Sequence, residues 1–206
     1  GGGGGGGDDH KKKKKMQKQH QHQPPPAPLN FHTFVVIVAG VSGCGKSSVG
    51  IAVAKLWGSA TFADADDYHP AENIEKMRSG TALNDSDRKP WLEALAKLIK
   101  RHVESKTRLV LSCSALKKSY RDILRGMDDK ISSKVGILLL EGSVELIASR
   151  LKDRKGHFFN PKLLQSQFQT LEKPKPSENV LIVPILEPVS TIAHSIVQHL
   201  QKRSRI

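Results

Sequence analysis

Gly40-Val41-Ser42-Gly43-Cys44-Gly45-Lys46-Ser47 fills every fixed position of the spacing G-x-x-x-x-G-K-[ST]. Glycines at those positions let backbone N–H groups curl around a phosphate chain, and a helix starting at the Lys-Ser end adds a positive pole. Lys46 has the reach for the β- and γ-phosphates, and the Ser47 hydroxyl is a ligand for Mg²⁺. The motif carries meaning only between a strand and a helix. The flanks supply both: Phe34-Val35-Val36-Ile37-Val38-Ala39 before it, and a helical pattern from Ser47 to Trp57 after it. The expected ligand is a nucleoside triphosphate, held by Gly40, Val41, Ser42, Gly43, Cys44, Gly45, Lys46, Ser47 and Ser48.

Further chemistry-bearing residues follow other apolar runs. Asp64 and Asp66 stand two apart, so in an extended segment they share one face. One carboxylate could hold the Mg²⁺ water and the other could accept a proton from a substrate hydroxyl; the plainer alternative is an acidic turn capping the helix at Ala71. Asp85 is an expected N-cap. Arg88, in the first turn behind it, offers a fork that matches a carboxylate bidentately. Where many phosphate-loop ATPases place an Asp at the end of the third strand, this chain has Cys113 or Ser114, so Ser47 and Asp64 are the expected protein contacts of the metal. Asn-Lys-x-Asp, the guanine reader, is absent. The basic run from Arg150 to His157 contains a glycine and could close over the phosphates to exclude water, with Arg154 or Lys155 stabilising the transferring group. Gln165 and Gln167 could reach the same cleft or lie on the surface. Cys44 and Cys113 read either as a redox-sensitive pair or as two small buried residues.

These residues need a scaffold that brings strand ends together. Short apolar runs at Phe34–Ala39, Thr61–Ala63, Leu109–Cys113, Val135–Leu140 and Val180–Val183 read as strands buried on both faces. Helical patterns cover Gly45–Trp57, Ala71–Arg78, Ser86–Glu104, Ala115–Arg125, Val144–Arg154, Pro161–Thr170 and Val189–Lys202. The third has one apolar face through Leu92, Leu95, Leu98, Ile99 and Val103. Alternating strands and helices predict an α/β fold: a parallel sheet with helices on both faces and ligands at the carboxyl ends of its strands.

Residues 1–30 lack any apolar period and run through seven glycines, a lysine block, Gln/His repeats and the run Pro24-Pro25-Pro26, a composition expected to stay disordered. About 175 residues remain, enough for one domain, 31–206. Of the net charge of +13, six Lys against two Asp place +4 in the first 30 residues and leave +9 to the domain. A basic domain suits a polyanionic ligand such as ATP. A nucleic-acid-binding protein recruited through the lysine block is the competing class, but that block has no interleaved aromatics. Two cysteines without framework spacing suit a reducing compartment. No apolar run approaches the ~20 residues of a membrane span. Ser204-Arg205-Ile206 loosely resembles the Ser-Lys-Leu peroxisomal address, against a cytoplasmic default.

The order of motifs resembles the gluconokinase family. The matching stretches are residues 40–48, Ala-Asp-Asp-Tyr-His-Pro-Ala-Glu-Asn-Ile-Glu-Lys-Met (65–77), Leu-Asn-Asp-Ser-Asp-Arg-Lys-Pro-Trp-Leu (83–92), Cys-Ser-Ala-Leu-Lys-Lys-Ser-Tyr-Arg-Asp (113–122), Arg-Lys-Gly-His-Phe-Phe (154–159), Leu-Leu-Gln-Ser-Gln-Phe (163–168) and Leu-Glu-Lys-Pro (171–174). The resemblance implies a three-layer P-loop kinase fold with strand order 2-3-1-4-5 and a mobile lid at about 154–174. It implies transfer of the ATP γ-phosphate to the 6-hydroxyl of D-gluconate, Mg²⁺ dependence and a homodimer. The product, 6-phosphogluconate, feeds the pentose phosphate pathway. Carried over residue by residue, Asp64 takes a metal-linked role and Asp66 a substrate role. Arg88 becomes the carboxylate clamp with His69 nearby, Arg150 stacks on adenine, and Arg154 is the lid arginine. Lys117 and Arg121 fall in a family-typical stretch on the substrate side. Cys44 departs from the serine common in the loop, where the backbone N–H does the work.

Overall fold

The computed structural model describes residues 33–152 and 161–201 of the chain. Its elements in order are β1 (Val35–Ala39), α1 (Lys46–Leu56), β2 (Thr61–Asp64), α2 (Ala71–Arg78), α3 (Asp85–Glu104), β3 (Leu109–Ser112), α4 (Lys118–Arg125), α5 (Asp129–Ser132), β4 (Val135–Glu141), α6 (Val144–Lys152), α7 (Pro161–Thr170), β5 (Val180–Pro184) and α8 (Val189–Gln201). Short 3-10 turns at Ala65–Tyr68 and Pro176–Glu178 join them.

All five strands are parallel and lie in the order β2-β3-β1-β4-β5, as the resemblance implies. β1 is buried on both faces along its whole length. Its side chains still alternate. Val36 and Val38 join a core with Val49 and Val53 of α1 and Ile192 and Ile196 of α8. Val35, Ile37 and Ala39 join the opposite core with Leu92, Leu95 and Ile99 of α3 and Leu124 of α4. Each fully buried Leu or Ile contributes about 1.5–3 kcal/mol, so the sheet is clamped from two sides and its strand ends are fixed points.

The register decides what meets at those ends. Val38 lies opposite Ser112, and Ser112 opposite Asp64. Strand order reverses at β1, since β2 and β3 lie on one side and β4 and β5 on the other. The loop after β1 therefore opens into the crevice where such sheets bind ligands.

Three of the boundaries that differ from the sequence reading bear on the site. α4 starts at Lys118, not Ala115, because Ala115 sits at φ +43°, outside the helical region. The cap of α3 is Asn84, not Asp85: the Asn84 side chain accepts from the Asp87 N–H, and Asp87 returns the bond to the Asn84 N–H. β3 ends at Ser112, one residue before Cys113. The one-turn helix α5, which no apolar period announces, is capped by Asp128. Among the described residues no helix is long and apolar enough to cross a membrane. The expected tail, the first part of the lid and the final tripeptide lie outside the described residues.

Candidate active site

α1 begins at Lys46 behind Gly45, whose φ of +98° and lack of a side-chain cap leave the first-turn amides to an external acceptor. Gly43 is required for a second reason. It holds φ +81°, and a Cβ there would come within 2.5 Å of Leu151. Lys46 Nζ donates to the Val41 carbonyl at 3.1 Å, so the lysine curls back along its own loop.

Ser47 faces the ends of β2 and β3. Its Oγ donates to Asp64 Oδ2 at 2.8 Å and lies 3.4 Å from Ser112 Oγ. Ser112 was missed at the sequence level. Its signal was a lone hydroxyl closing the apolar run Leu109-Val110-Leu111. Cys113, one residue on and turned to the opposite face, packs into the α3 core instead. Both thiols are free and buried. Burial raises their pKa values, that of Cys113 to about 12, so neither is a ready nucleophile or redox partner.

Asp64 and Asp66 do not share a face of an extended segment. Asp64 closes β2, whereas Asp66 lies in the 3-10 turn, tied back by its N–H to Asp64 Oδ1 at 3.2 Å. The turn caps nothing further on, since α2 starts behind Pro70 without a side-chain cap. It is pinned from outside by Trp91 of α3, whose buried indole N–H donates to the Ala65 carbonyl at 2.7 Å. Trp91 also stacks on His69, ring centroids 4.3 Å apart. A buried indole requires an acceptor, and this one orients the acidic turn. Asp66 is exposed as a residue, yet loss of water around its carboxyl pushes its pKa up. The Asp64 charge adds to that, and Lys46 and His69 pull the other way. His69 is shifted down by burial first and by Arg88 next, partly offset by Asp66. Its Nδ1 is buried without a hydrogen-bond partner, a polar atom left for a ligand.

Arg88 is half-buried. Its Nη1 donates to the Leu83 carbonyl, and its guanidinium stands 6.0 Å from the Tyr120 ring centre. Lys117 grips Asp85 through both carboxylate oxygens, at 2.8 and 2.7 Å, and the Tyr120 hydroxyl donates to the same carboxylate. These bonds hold the Asp85 pKa below the usual carboxylate range. Arg88, Lys117 and Asp85 line an open cavity of about 560 Å³ with Asn84 and with Ser166 and Thr170 of α7.

Arg121 does not join them. It is 1% exposed, and its Nε and Nη2 donate to Glu178 Oε2 at 3.0 and 2.8 Å. Nη1 donates to the carbonyls of Ala115 and Leu116. With every nitrogen engaged, Arg121 ties α4 to the turn before β5 and cannot serve as a substrate ligand. Arg150 donates to the Ile185 carbonyl at 2.6 Å, linking α6 to the loop after β5. Ser48 is exposed in the first turn of α1. Arg154 and Lys155 lie outside the described residues.

The donor set fits Mg²⁺. The Ser47 hydroxyl and the Asp64 carboxylate are hard oxygen ligands. Among the described residues no group of three or more His, Cys, Asp or Glu gathers to hold a metal. Mg²⁺ is usually held by one or two protein oxygens plus phosphates and waters.

A phosphate loop at the switch point of a 2-3-1-4-5 parallel sheet, faced by two carboxylates and a cationic pocket, defines a small-molecule kinase of the P-loop class. Residues 42–200 match the family described as shikimate kinase. Thermoresistant gluconokinase of Escherichia coli (strain K12) is 42% identical over 174 residues, spanning 84% of this chain and 97% of that one. The gluconokinase of Arabidopsis thaliana is 41% identical over 178 residues, spanning 81% and 94%. A solved gluconokinase from Sinorhizobium meliloti 1021 superposes with a TM-score of 0.72 at 39% identity, over 85% of this chain and 95% of that one. This chain belongs to the gluconokinase family.

Proposed function

We propose that the protein transfers the γ-phosphate of ATP to the 6-hydroxyl of D-gluconate, giving 6-phospho-D-gluconate and ADP. The observation that carries this reading is the hydrogen bond from Ser47 to Asp64, which joins the phosphate loop to the acidic turn that carries Asp66 and leads to His69. Lys46 of the phosphate loop and His69 both act on the Asp66 carboxylate, and Arg88 acts on His69. A hydroxy acid in the cleft would set its hydroxyl at the Asp66 carboxylate and its own carboxylate toward Arg88 and Lys117, the cations that line the open cavity.

The roles follow from the groups. Lys46 and the loop amides hold the phosphates and neutralise charge on them. Asp66 orients the attacking hydroxyl and takes its proton as the O–P bond forms; its pKa, raised by lost water, makes it a stronger base than a solvated carboxylate. Arg88 binds the acid carboxylate, with the unpartnered His69 Nδ1 beside it for a substrate oxygen. Mg²⁺, held from Ser47 and Asp64, would supply charge neutralisation on the β- and γ-oxygens. Arg150 is assigned to adenine and Arg154 to the closing lid on the family resemblance. We further assign a homodimer, supported by that resemblance, and the cytosol, supported by two cysteines without disulfide-framework spacing.

A coupled ADP-release assay with MgATP and gluconate, shikimate or AMP as acceptor tests the reading. Turnover with gluconate well above the other two is expected. Absence of turnover with gluconate refutes it.

A further inference from the structure

Two side chains from distant parts of the chain meet on one peptide unit of the phosphate loop. The Val41 carbonyl accepts from Lys46, and the N–H at the other end of that peptide, on Ser42, donates to Gln167 Oε1 at 2.5 Å. Gln167 lies on α7, 125 residues away, and is half-buried. Its helix is not a loose neighbour. Leu164 is buried, and Phe168 packs in the same core as Val41. Past the helix, the Glu172 carboxylate accepts the Lys118 N–H at 2.7 Å, while the Glu172 N–H donates to the Leu116 carbonyl at 3.0 Å. The Gln167 carbonyl is therefore held against the loop by anchors on both sides.

A backbone N–H has a single proton to donate, and in a loop of this kind such groups are the phosphate ligands. Lys46, the residue that reaches the β- and γ-phosphates, rests on the Val41–Ser42 peptide. That peptide therefore belongs to the terminal-phosphate end of the loop. A phosphate oxygen that takes the Ser42 N–H must first displace the Gln167 carbonyl.

We propose that Gln167 is a positioning residue of the nucleotide site that competes with the terminal phosphates for the Ser42 N–H. This rests on the ATP-binding reading above. Titration calorimetry of the full chain, wild type against Gln167→Ala and Gln167→Glu, with ATP and AMP as probes, decides it. Removing one competing hydrogen bond should tighten ATP binding by about 2- to 10-fold. AMP, which has no terminal phosphates to place there, should bind unchanged. Gln167→Glu, keeping the acceptor and adding a negative charge, should weaken ATP and spare AMP. Unchanged or weaker ATP binding by Gln167→Ala overturns the proposal, as does an equal shift for both nucleotides, the mark of a loosened structure. Wild-type protein that binds no ATP overturns the functional reading and this inference together; tight wild-type binding without the expected shifts overturns this inference alone.

Discussion

At the scale of single residues, the site is a short series of charges whose neighbours set their behaviour. Lys46→Ala removes the ammonium assigned above to the terminal phosphates, so turnover should fall to background in the ADP-release assay while the fold persists. Asp66 makes a sharper case. Its folded pKa is raised by lost water and by Asp64, so the folded chain holds that proton more tightly than the unfolded chain does. Its contribution to stability is then present below the ordinary carboxylate pKa of about 4 and lost as pH rises through the raised value. At neutral pH the ionised group costs stability, by a small amount because the residue is exposed. Asp66→Asn should therefore raise the melting temperature by about 1–3 °C at pH 7, a gain that shrinks toward zero near pH 4. The same variant should lose about 10²- to 10⁴-fold in kcat. Melting curves at the two pH values, beside kcat, check both signs together. Arg88→Ala should raise KM for gluconate by about 10- to 100-fold while KM for ATP stays within about twofold; equal shifts in both would remove the clamp from Arg88.

At the scale of elements, the central strands were legible because short Val, Ile and Leu runs bounded by turn residues suit a sheet covered on both faces, whereas β2, Thr-Phe-Ala-Asp at the sheet edge, and β5 at the other edge are only partly buried. The phosphate loop was legible because its glycines are required by backbone angles that other residues resist. Less legible was everything set by where a chain turns. Ala115 at φ +43° shortens α4, and nothing in an alanine announces that angle. The turn from Ala65 to Tyr68 places Asp66, and it is fixed by Trp91 from another element. Arg121 misled for a related reason: the resemblance put it on the substrate side through its place in a family-typical stretch, and its partner, Glu178, lies 57 residues on. That pair yields an element-scale prediction. Arg121→Met leaves Glu178 charged and buried, so it should destabilise by about 3–5 kcal/mol in urea unfolding. Arg121→Met with Glu178→Leu should recover most of that loss. The double variant should also keep the wild-type KM for gluconate, because Arg121 holds α4 to the turn before β5 and touches no substrate. A raised KM in the refolded double variant would return Arg121 to the acid site.

At the scale of the whole molecule, the dominant quantity is charge. The domain keeps +9 after the first 30 residues are set aside, and both substrates are anions. A net field of that sign speeds encounter with anions and is screened by salt, with a Debye length near 10 Å at about 0.1 M. Encounter enters kcat/KM and not the bound chemical step. Raising ionic strength from about 0.02 to 0.2 M should therefore lower kcat/KM for both ATP and gluconate while kcat holds. Deleting residues 1–30 separates two origins of this field. The residues proposed for binding and chemistry run from Gly40 to Arg154, and the described side chains beside them extend to Gln167, so the truncated protein should keep kcat. Losing +4 of +13, it should keep most of the salt dependence with a shallower slope. Binding to a polynucleotide, if the lysine block confers any, should fall away in the same truncation, with its steep dependence on salt. Steady-state kinetics at several salt concentrations on the two chains, beside polynucleotide titrations, give the comparison. If the truncation removed turnover itself, the first 30 residues would belong to the machinery, and a site confined to the strand ends would be the wrong description.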